Sequence, residues 1–258
     1  MLTKRVARWS KLALSAAGVL TLVGVTISPS YAANDAQIYI VQGLPGKDLD
    51  VAIDRGPPIA QAVTSASAAG PFEVKPGSHT VTFSENGNTV LQNAFTIKEG
   101  SKADLVAHLL ASSSSDPRVT VYDKYDAVKV TRGKALFVVS HVAAAPPVDI
   151  RVNGKVLFPN IANGESSERR VPGATYKVAI VPTGKTQPVY YGPFSLTVKG
   201  GTIAHVYVVG DPNQKTMSVA PRFLPAAITG SESPSEVNTG TGGQAFGQGP
   251  LLEVNLAR

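Results

Sequence analysis

Apolar and polar positions alternate along short segments of this chain. In residues 148–153, Val, Ile and Val alternate with Asp, Arg and Asn, and Gly154 follows. Successive side chains of an extended strand point to opposite faces, so this segment predicts a strand with one buried face, followed by a turn. Similar runs rich in β-branched and aromatic residues recur from residue 36 to residue 224, with Gly, Asn or Pro turns between them. The pattern predicts an all-β fold.

The pattern also repeats. Three segments recur in the same order: 36–54 as 135–153, 75–83 as 171–179, and 95–107 as 196–208. These collinear matches predict two tandem domains of about 100 residues, a usual size for one domain. Strands spaced by about 8–12 residues are typical of an immunoglobulin-like antiparallel β-sandwich, and a barrel is the alternative. We expect sandwiches at residues 33–130 and 131–227, and a flexible Gly/Ser/Thr-rich tail at residues 228–258.

Residues 1–32 have the pattern of a secretory signal peptide. Basic residues precede an apolar run at residues 12–27, and Ser30-Tyr31-Ala32 offers a cleavage site after Ala32. The alternative is a retained anchor, but the run is shorter than the roughly 20 residues of a spanning helix. We therefore expect a secreted, extracellular protein without a membrane span after cleavage, either released or held non-covalently at the cell envelope.

The charge of the chain lies largely in this N-terminal segment. The sequence has 24 Lys+Arg and 18 Asp+Glu, a formal charge of +6. Four of the basic residues and none of the acidic ones precede residue 33, so the rest carries 20 − 18 = +2. No basic cluster remains that would neutralise a run of phosphates, so nucleic acid is not an expected partner. The absence of cysteine excludes disulfides, thiol catalysis and thiolate metal sites.

The second repeat resembles a known family. Its segments "FVVSHVAAAPPVDIRVNGKVLFPNIANGE", "VPGATYKVAIVPTG" and "LTVKGGTIAHVYVVG" are similar to the secreted bacterial family called domain of unknown function 4397. The matching positions are His141, Pro147, Val148, Asp149, Val152, Gly154, Pro172, Gly173, Thr175 and Tyr176. In the first repeat Gln42 replaces the histidine, and residues 54–56 replace the Asn-Gly turn. The resemblance implies export and immunoglobulin-like domains in two tandem copies, and it implies no activity.

Few side chains suggest a site. The histidines show no metal-ligand spacing, and no Gly-x-Ser-x-Gly motif occurs. His141 and Asp149 lie on successive predicted strands and could contact a ligand or a metal, or else tie a strand end to a neighbouring loop by hydrogen bonds. Tyr190 and Tyr191 could stack on a sugar ring, or else pack across neighbouring strands.

These observations favour a binding protein. We expect a non-catalytic, monomeric module of the cell envelope or extracellular space that binds a protein or a polysaccharide through loops or an exposed strand. We predict no catalytic residue, no metal ligand and no cofactor. The alternative is a secreted hydrolase or a metal-binding protein with a site formed by loops of the second domain. A pocket that collects a histidine and two carboxylates would favour that alternative.

Overall fold

Strands are the regular elements of this chain wherever its structure is described. The computed structural model describes residues 34–111, 116–124 and 128–229. Within these ranges there is no helix, and so none that is long and apolar enough to cross a membrane. The predicted signal peptide lies outside the described residues, as does the predicted tail from residue 230 onward.

The first repeat forms two four-stranded sheets. Its strands are β1 (Ala36–Gln42), β2 (Leu49–Ile53), β3 (Pro58–Val63), β4 (Ser67–Val74), β5 (Gly77–Glu85), β6 (Asn88–Ile97), β7 (Lys102–His108) and β8 (Arg118–Tyr122). Sheet 1 has the order β3-β2-β5-β6, and sheet 2 has the order β4-β1-β7-β8. Neighbouring strands are antiparallel except β1 and β7, which are parallel. Alternate side chains of both sheets, such as Ile38, Phe83 and Leu105, form one apolar core between them.

The second repeat has the same arrangement. After β9 (Lys129–Thr131) come β10 (Lys134–His141), β11 (Val148–Val152), β12 (Lys155–Ile161), β13 (Ser166–Pro172), β14 (Ala174–Pro182), β15 (Tyr191–Val198), β16 (Thr202–Val209), β17 (Ser218–Pro225) and β18 (Ala227–Thr229). Sheet 3 has the order β13-β10-β16-β17, and sheet 4 has the order β12-β11-β14-β15. The parallel pair is now β10 and β16. Phe137, Ile150 and Phe158 belong to the core between these sheets.

The predicted all-β sandwich architecture is therefore confirmed, with one detail that the sequence pattern did not indicate. Each sandwich is antiparallel apart from its single parallel pair. Two short strands lie outside the four sheets: β18 follows the second sandwich and pairs in parallel with β9, which precedes it. Residues 228 and 229, the first two of the predicted tail, thus belong to a strand.

Sheets 2 and 3 pack against each other. In β7, β10 and β16, every residue from the second to the last is buried, so both faces of these strands are covered. Leu105 of β7 packs in the core of the first sandwich, whereas its neighbour Val106 packs against Tyr207 of β16. The four sheets consequently stack in the order 1, 2, 3, 4, with a third buried layer between the two sandwiches.

Two apolar clusters make up most of this third layer. One contains Val41, Val106, Val142, Tyr207, Val209 and Ala220. The other contains Val130, Leu136, Val138, Ile203 and Leu224, with Tyr39 packed against it. Both clusters combine side chains of the two repeats. Removing apolar surface from water stabilises a contact by about 25 cal/mol per Å², so this layer favours association of the two sandwiches.

A buried polar chain lies in the same layer. The carboxylate oxygen Oδ2 of Asp104, on sheet 2, accepts hydrogen bonds from Arg222 and Tyr207 on sheet 3, with the Arg222 Nε at 2.7 Å. The other guanidinium contact, from Nη2 of Arg222, measures 2.5 Å. The guanidinium also lies over the ring of Tyr39, 4.5 Å from its centroid. Asp104 is 0% exposed and Arg222 is 7% exposed, so this ion pair between the repeats is shielded from solvent.

The chain continues through His205. Its Nδ1 lies 2.9 Å from the Tyr207 hydroxyl, and its Nε2 lies 2.7 Å from Oγ of Ser140, which in turn lies 2.5 Å from Oγ of Ser166. Tyr207 gives its only proton to Asp104, so a neutral His205 with the proton on Nδ1 satisfies both neighbours. Burial lowers the pKa of His205 and raises that of Tyr207, which favours these neutral forms.

We predict that Asp104→Ala destabilises the chain by about 3–5 kcal/mol, because it leaves the Arg222 guanidinium buried without its counter-ion. Replacing both partners, by Asp104→Leu with Arg222→Met, should restore most of that loss, since no charge then stays buried. Oδ1 of Asp104 and Nη1 of Arg222 have no hydrogen-bond partner among the described residues, so the native pair is itself incompletely compensated. Urea unfolding followed by circular dichroism measures both variants. A double variant as unstable as Asp104→Ala would contradict this account.

Candidate functional site

Two clefts lie side by side at one end of the second sandwich. The smaller has a volume of about 390 Å³, and its lining includes Pro146, Pro147, Asn160 and Lys185. The larger has a volume of about 700 Å³, and its lining includes Tyr191, Asn213, Lys215 and Met217. Pro188 and Tyr190 line both clefts. These volumes lie in the range of small-ligand sites in proteins.

The loop that separates the clefts is found only in the second repeat. Between β14 and β15 the chain runs through residues 183–190, whereas the equivalent β5 and β6 are joined by Asn86 and Gly87 alone. The longer loop provides Lys185, Pro188 and Tyr190 to the clefts. Binding residues are commonly carried by loops on a rigid scaffold, so this difference between two otherwise similar units marks the loop as a functional candidate.

Asp149 holds two walls of the smaller cleft in place. Its Oδ1 accepts the backbone N–H of Asn160 at 2.8 Å, and its Oδ2 accepts the backbone N–H of Gly184 at 2.9 Å. Asp149 is 5% exposed, so it lies behind the cleft wall rather than in the opening. In the first repeat, Asp50 makes the first of these contacts, to the N–H of Ala62. These contacts fit the alternative in which Asp149 ties a strand end to neighbouring loops by hydrogen bonds. Asp149 therefore positions the cleft walls at Asn160 and Gly184.

His141 holds the third wall. Its Nε2 lies 3.2 Å from the carbonyl oxygen of Pro146, and its Nδ1 accepts the backbone N–H of Ala143 at 3.3 Å. The side chain is completely buried, and burial lowers its pKa. The imidazole therefore acts as a neutral donor and acceptor that fixes the turn leading to Pro146 and Pro147.

In the first repeat, Gln42 fixes the equivalent turn by hydrogen bonds. Its Nε2 donates to the carbonyl oxygens of Leu44 and Lys47, and its Oε1 accepts the N–H of Leu44. These partners lie two and five residues after the side chain, as Ala143 and Pro146 do after His141. An amide also provides both a donor and an acceptor. The replacement of the histidine by Gln42 is thereby explained: the position requires hydrogen bonds, and ligand chemistry is not needed to account for it.

Tyr190 and Tyr191 combine the two roles considered from sequence. Both rings are partly buried and pack against the core of the second sandwich, and the Tyr191 ring lies 5.3 Å from the ring of Phe194. Their remaining surface lines the clefts. The backbone N–H of Tyr190 donates to the carbonyl oxygen of Ile180 at 2.8 Å, which fixes the main chain that carries this ring.

The clefts carry a positive charge. Lys185 lines the smaller and Lys215 lines the larger, and no acidic residue lines either cleft in the described part of the chain. Lys215 has a backbone φ of 55°, a left-handed conformation that is uncommon for residues other than glycine. Its loop is closed by Asp211, whose Oδ1 accepts the N–H of Asn213 at 2.7 Å. Across the described ranges, no group of three or more His, Asp or Glu side chains is placed to hold a metal ion.

A second cleft region lies on the first sandwich. This opening of about 550 Å³ is lined by Asp54, Arg55, Thr80 and Gln92. Nδ1 of His79 lies 3.0 Å from Asp54, and this hydrogen bond raises the pKa of His79 and lowers that of Asp54. Asp54 also accepts the N–H of Thr80 at 2.9 Å, and Asn153 makes the same contact to Lys177 in the second repeat. The shared contact identifies Asp54 as part of a turn.

The buried polar chain contains a serine, a histidine and an aspartate, as a hydrolase site does. Ser140 contacts His205, and Nδ1 of His205 lies 3.5 Å from Asp104. All three side chains are nearly inaccessible, at 0%, 1% and 0% exposure. A nucleophile must reach the substrate carbonyl, and Ser140 has no opening toward one. Sequence reasoning did not find this cluster, because its members come from β7, β10 and β16.

The described part of the chain is thus an all-β protein of two similar sandwiches, the second of which has two clefts at one end. The sequence profile of the family described as "Domain of unknown function (DUF4397)" matches residues 36–151. This match supports the family predicted from the sequence over less than half of the chain. It covers the first sandwich and extends to Arg151 in β11, so most of the second repeat, whose residues suggested the resemblance, lies outside it. Among curated proteins, none matches the chain significantly.

We predict that His141→Gln changes the free energy of unfolding by less than about 1 kcal/mol, since Gln42 satisfies the equivalent turn. His141→Leu should cost about 1–3 kcal/mol, because it leaves a buried N–H and a carbonyl without partners. Urea unfolding at pH 7 measures both variants.

The pKa of His141 is lower in the folded than in the unfolded chain, so the free energy of unfolding decreases as the pH falls below about 6.5 and the unfolded chain binds the proton more tightly. His141→Gln should therefore lose less stability than the wild type between pH 7 and pH 5. Urea titrations at both pH values test this, and an unchanged pH dependence would contradict it.

Proposed function

We propose that this chain is a secreted, non-catalytic binding module of the cell envelope or extracellular space, and that it holds a polymer in the two clefts beside Tyr190. One observation carries the proposal: a single ring, that of Tyr190, lines two adjacent openings. A polymer with repeated units is a ligand that can occupy both openings at once.

The clefts are also preorganised. Asp149 and His141 are buried, and they fix Asn160, Gly184 and the turn before Pro147 through hydrogen bonds. A rigid site loses little conformational entropy when a ligand binds. The aromatic ring offers a large apolar surface with few rotatable bonds, which is typical of residues that dominate binding energy.

A hydrolase is the second class considered, and the described residues favour it less. The Ser140–His205–Asp104 alignment is enclosed. Among the described residues, those that line the clefts beside Tyr190 include no histidine and no carboxylate that could act as a general acid or base. Binding without turnover is therefore the function that this geometry supports best.

The proposal predicts that the purified chain co-sediments with an insoluble polysaccharide or cell-envelope fraction, and that Tyr190→Ala weakens this binding by at least about tenfold, as loss of an aromatic anchor does. Tyr176→Ala is the matched control. Tyr176 is also partly buried, but it lies near the start of β14 and donates to the carbonyl oxygen of Pro172, away from the clefts. Wild-type binding for the Tyr190 variant, absence of binding to any fraction, or hydrolysis of the bound polymer would overturn the proposal.

A further inference from the structure

We propose that the polymer is an anionic polysaccharide whose sugar rings carry carboxylate groups. This inference rests on the proposed function and narrows it, because it assigns a charge and a chemical class to the ligand of the two clefts. Two features of the clefts lead to it: their charge and the chemistry of their walls.

Each of the two clefts carries one lysine. Lys185 and Lys215 are exposed, one in each cleft, and neither forms an ion pair with a described residue. Asp149 and Asp211, whose contacts support the walls of the clefts, are buried and accept backbone N–H groups. Residues 33–258 have a formal charge of only +2. The two ammonium groups in adjacent clefts, with no carboxylate among the described lining residues, are therefore a local concentration of positive charge. They suit a ligand with one negative charge per unit.

The walls suit sugar rings better than a peptide. An extended peptide is usually held by backbone hydrogen bonds along a strand edge. Here the walls are rich in proline, which has no N–H to donate: Pro146, Pro147, Pro182, Pro188 and Pro212. The ring faces of Tyr190 and Tyr191 offer apolar surface, and the side-chain amides of Asn160 and Asn213 offer both donors and acceptors for hydroxyl groups. Apolar ring faces beside scattered hydroxyl partners match the two-sided chemistry of a sugar.

Two loops bring the lysines to the clefts. Gly184 and Lys185 follow β14, and Asn213 and Lys215 lie in the loop after β16. Each loop therefore presents one lysine beside the shared Tyr190 wall. A polymer lying across Tyr190 places successive carboxylates toward Lys185 and Lys215, which makes affinity depend on both lysines and on ionic strength.

The test is binding of the full chain without its first 32 residues to polygalacturonate, with amylose as the neutral polymer and poly-L-glutamate as the anionic peptide. We expect polygalacturonate to bind more tightly than either. Raising the salt concentration from 50 to 500 mM should weaken this binding, and Lys185→Gln and Lys215→Gln should each weaken it by about two- to fivefold, the range of exposed ion pairs. Lys98→Gln, an exposed lysine that lines a cleft of the first sandwich, is the matched control and should bind as the wild type does.

The outcomes separate the inference from the proposed function. Equal binding of amylose and polygalacturonate, dependent on Tyr190 but not on salt or on the two lysines, would overturn the anionic ligand and leave the binding function standing. Tighter binding of poly-L-glutamate would overturn the polysaccharide class. Binding of none of the three polymers, with Tyr190→Ala and wild type alike on envelope fractions, would overturn both.

Discussion

The contact of Asp104 with Arg222 and Tyr207 is the constraint on which the arrangement of the two sandwiches depends. A carboxylate that is 0% exposed needs partners, and both Arg222 and Tyr207, which donate hydrogen bonds to it, come from the other repeat. An apolar layer alone tolerates sliding, because apolar contacts have no direction. The buried ion pair opposes sliding of sheet 2 against sheet 3, since a small shift would separate the two charges and leave each of them buried without its partner. It thus fixes which residues of sheets 2 and 3 face each other, and the apolar clusters supply the attraction.

Much of the fold follows from alternation in the sequence. Residues 148–152 alternate and form β11, and the repeat in the sequence corresponds to two sandwiches with the same strand order.

The contact between the sandwiches was not predicted. Its signal is present in residues 135–139 and 206–209, where apolar residues follow one another without alternation, as in strands buried on both faces. Alternation predicts one buried face for each strand, and in β10 that face carries Phe137 and Val139. It does not predict that Leu136 and Val138, on the opposite face, are also buried. Asp104 and His205, which occupy equivalent positions of the repeat, meet only through tertiary packing.

The candidate site was predicted in part. His141, Asp149, Tyr190 and Tyr191 all come to the same end of the second sandwich, the first two as supports and the last two in the lining. Lys185, Lys215 and the neighbouring prolines were not recognised, because exposed lysines and loop prolines carry no local pattern. A comparison of loop lengths between the repeats would have found them, since residues 183–190 replace a two-residue turn. The candidate site thus lies where the repeats differ, on a scaffold that they share.

The central claim is that the two sandwiches behave as one folded unit through the layer between sheets 2 and 3. Differential scanning calorimetry of the chain without residues 1–32 tests it most directly. The account predicts one transition whose calorimetric enthalpy equals the van't Hoff enthalpy, as for a two-state domain. Two separate transitions, or a calorimetric enthalpy about twice the van't Hoff value, would show that the sandwiches unfold independently and would contradict the account.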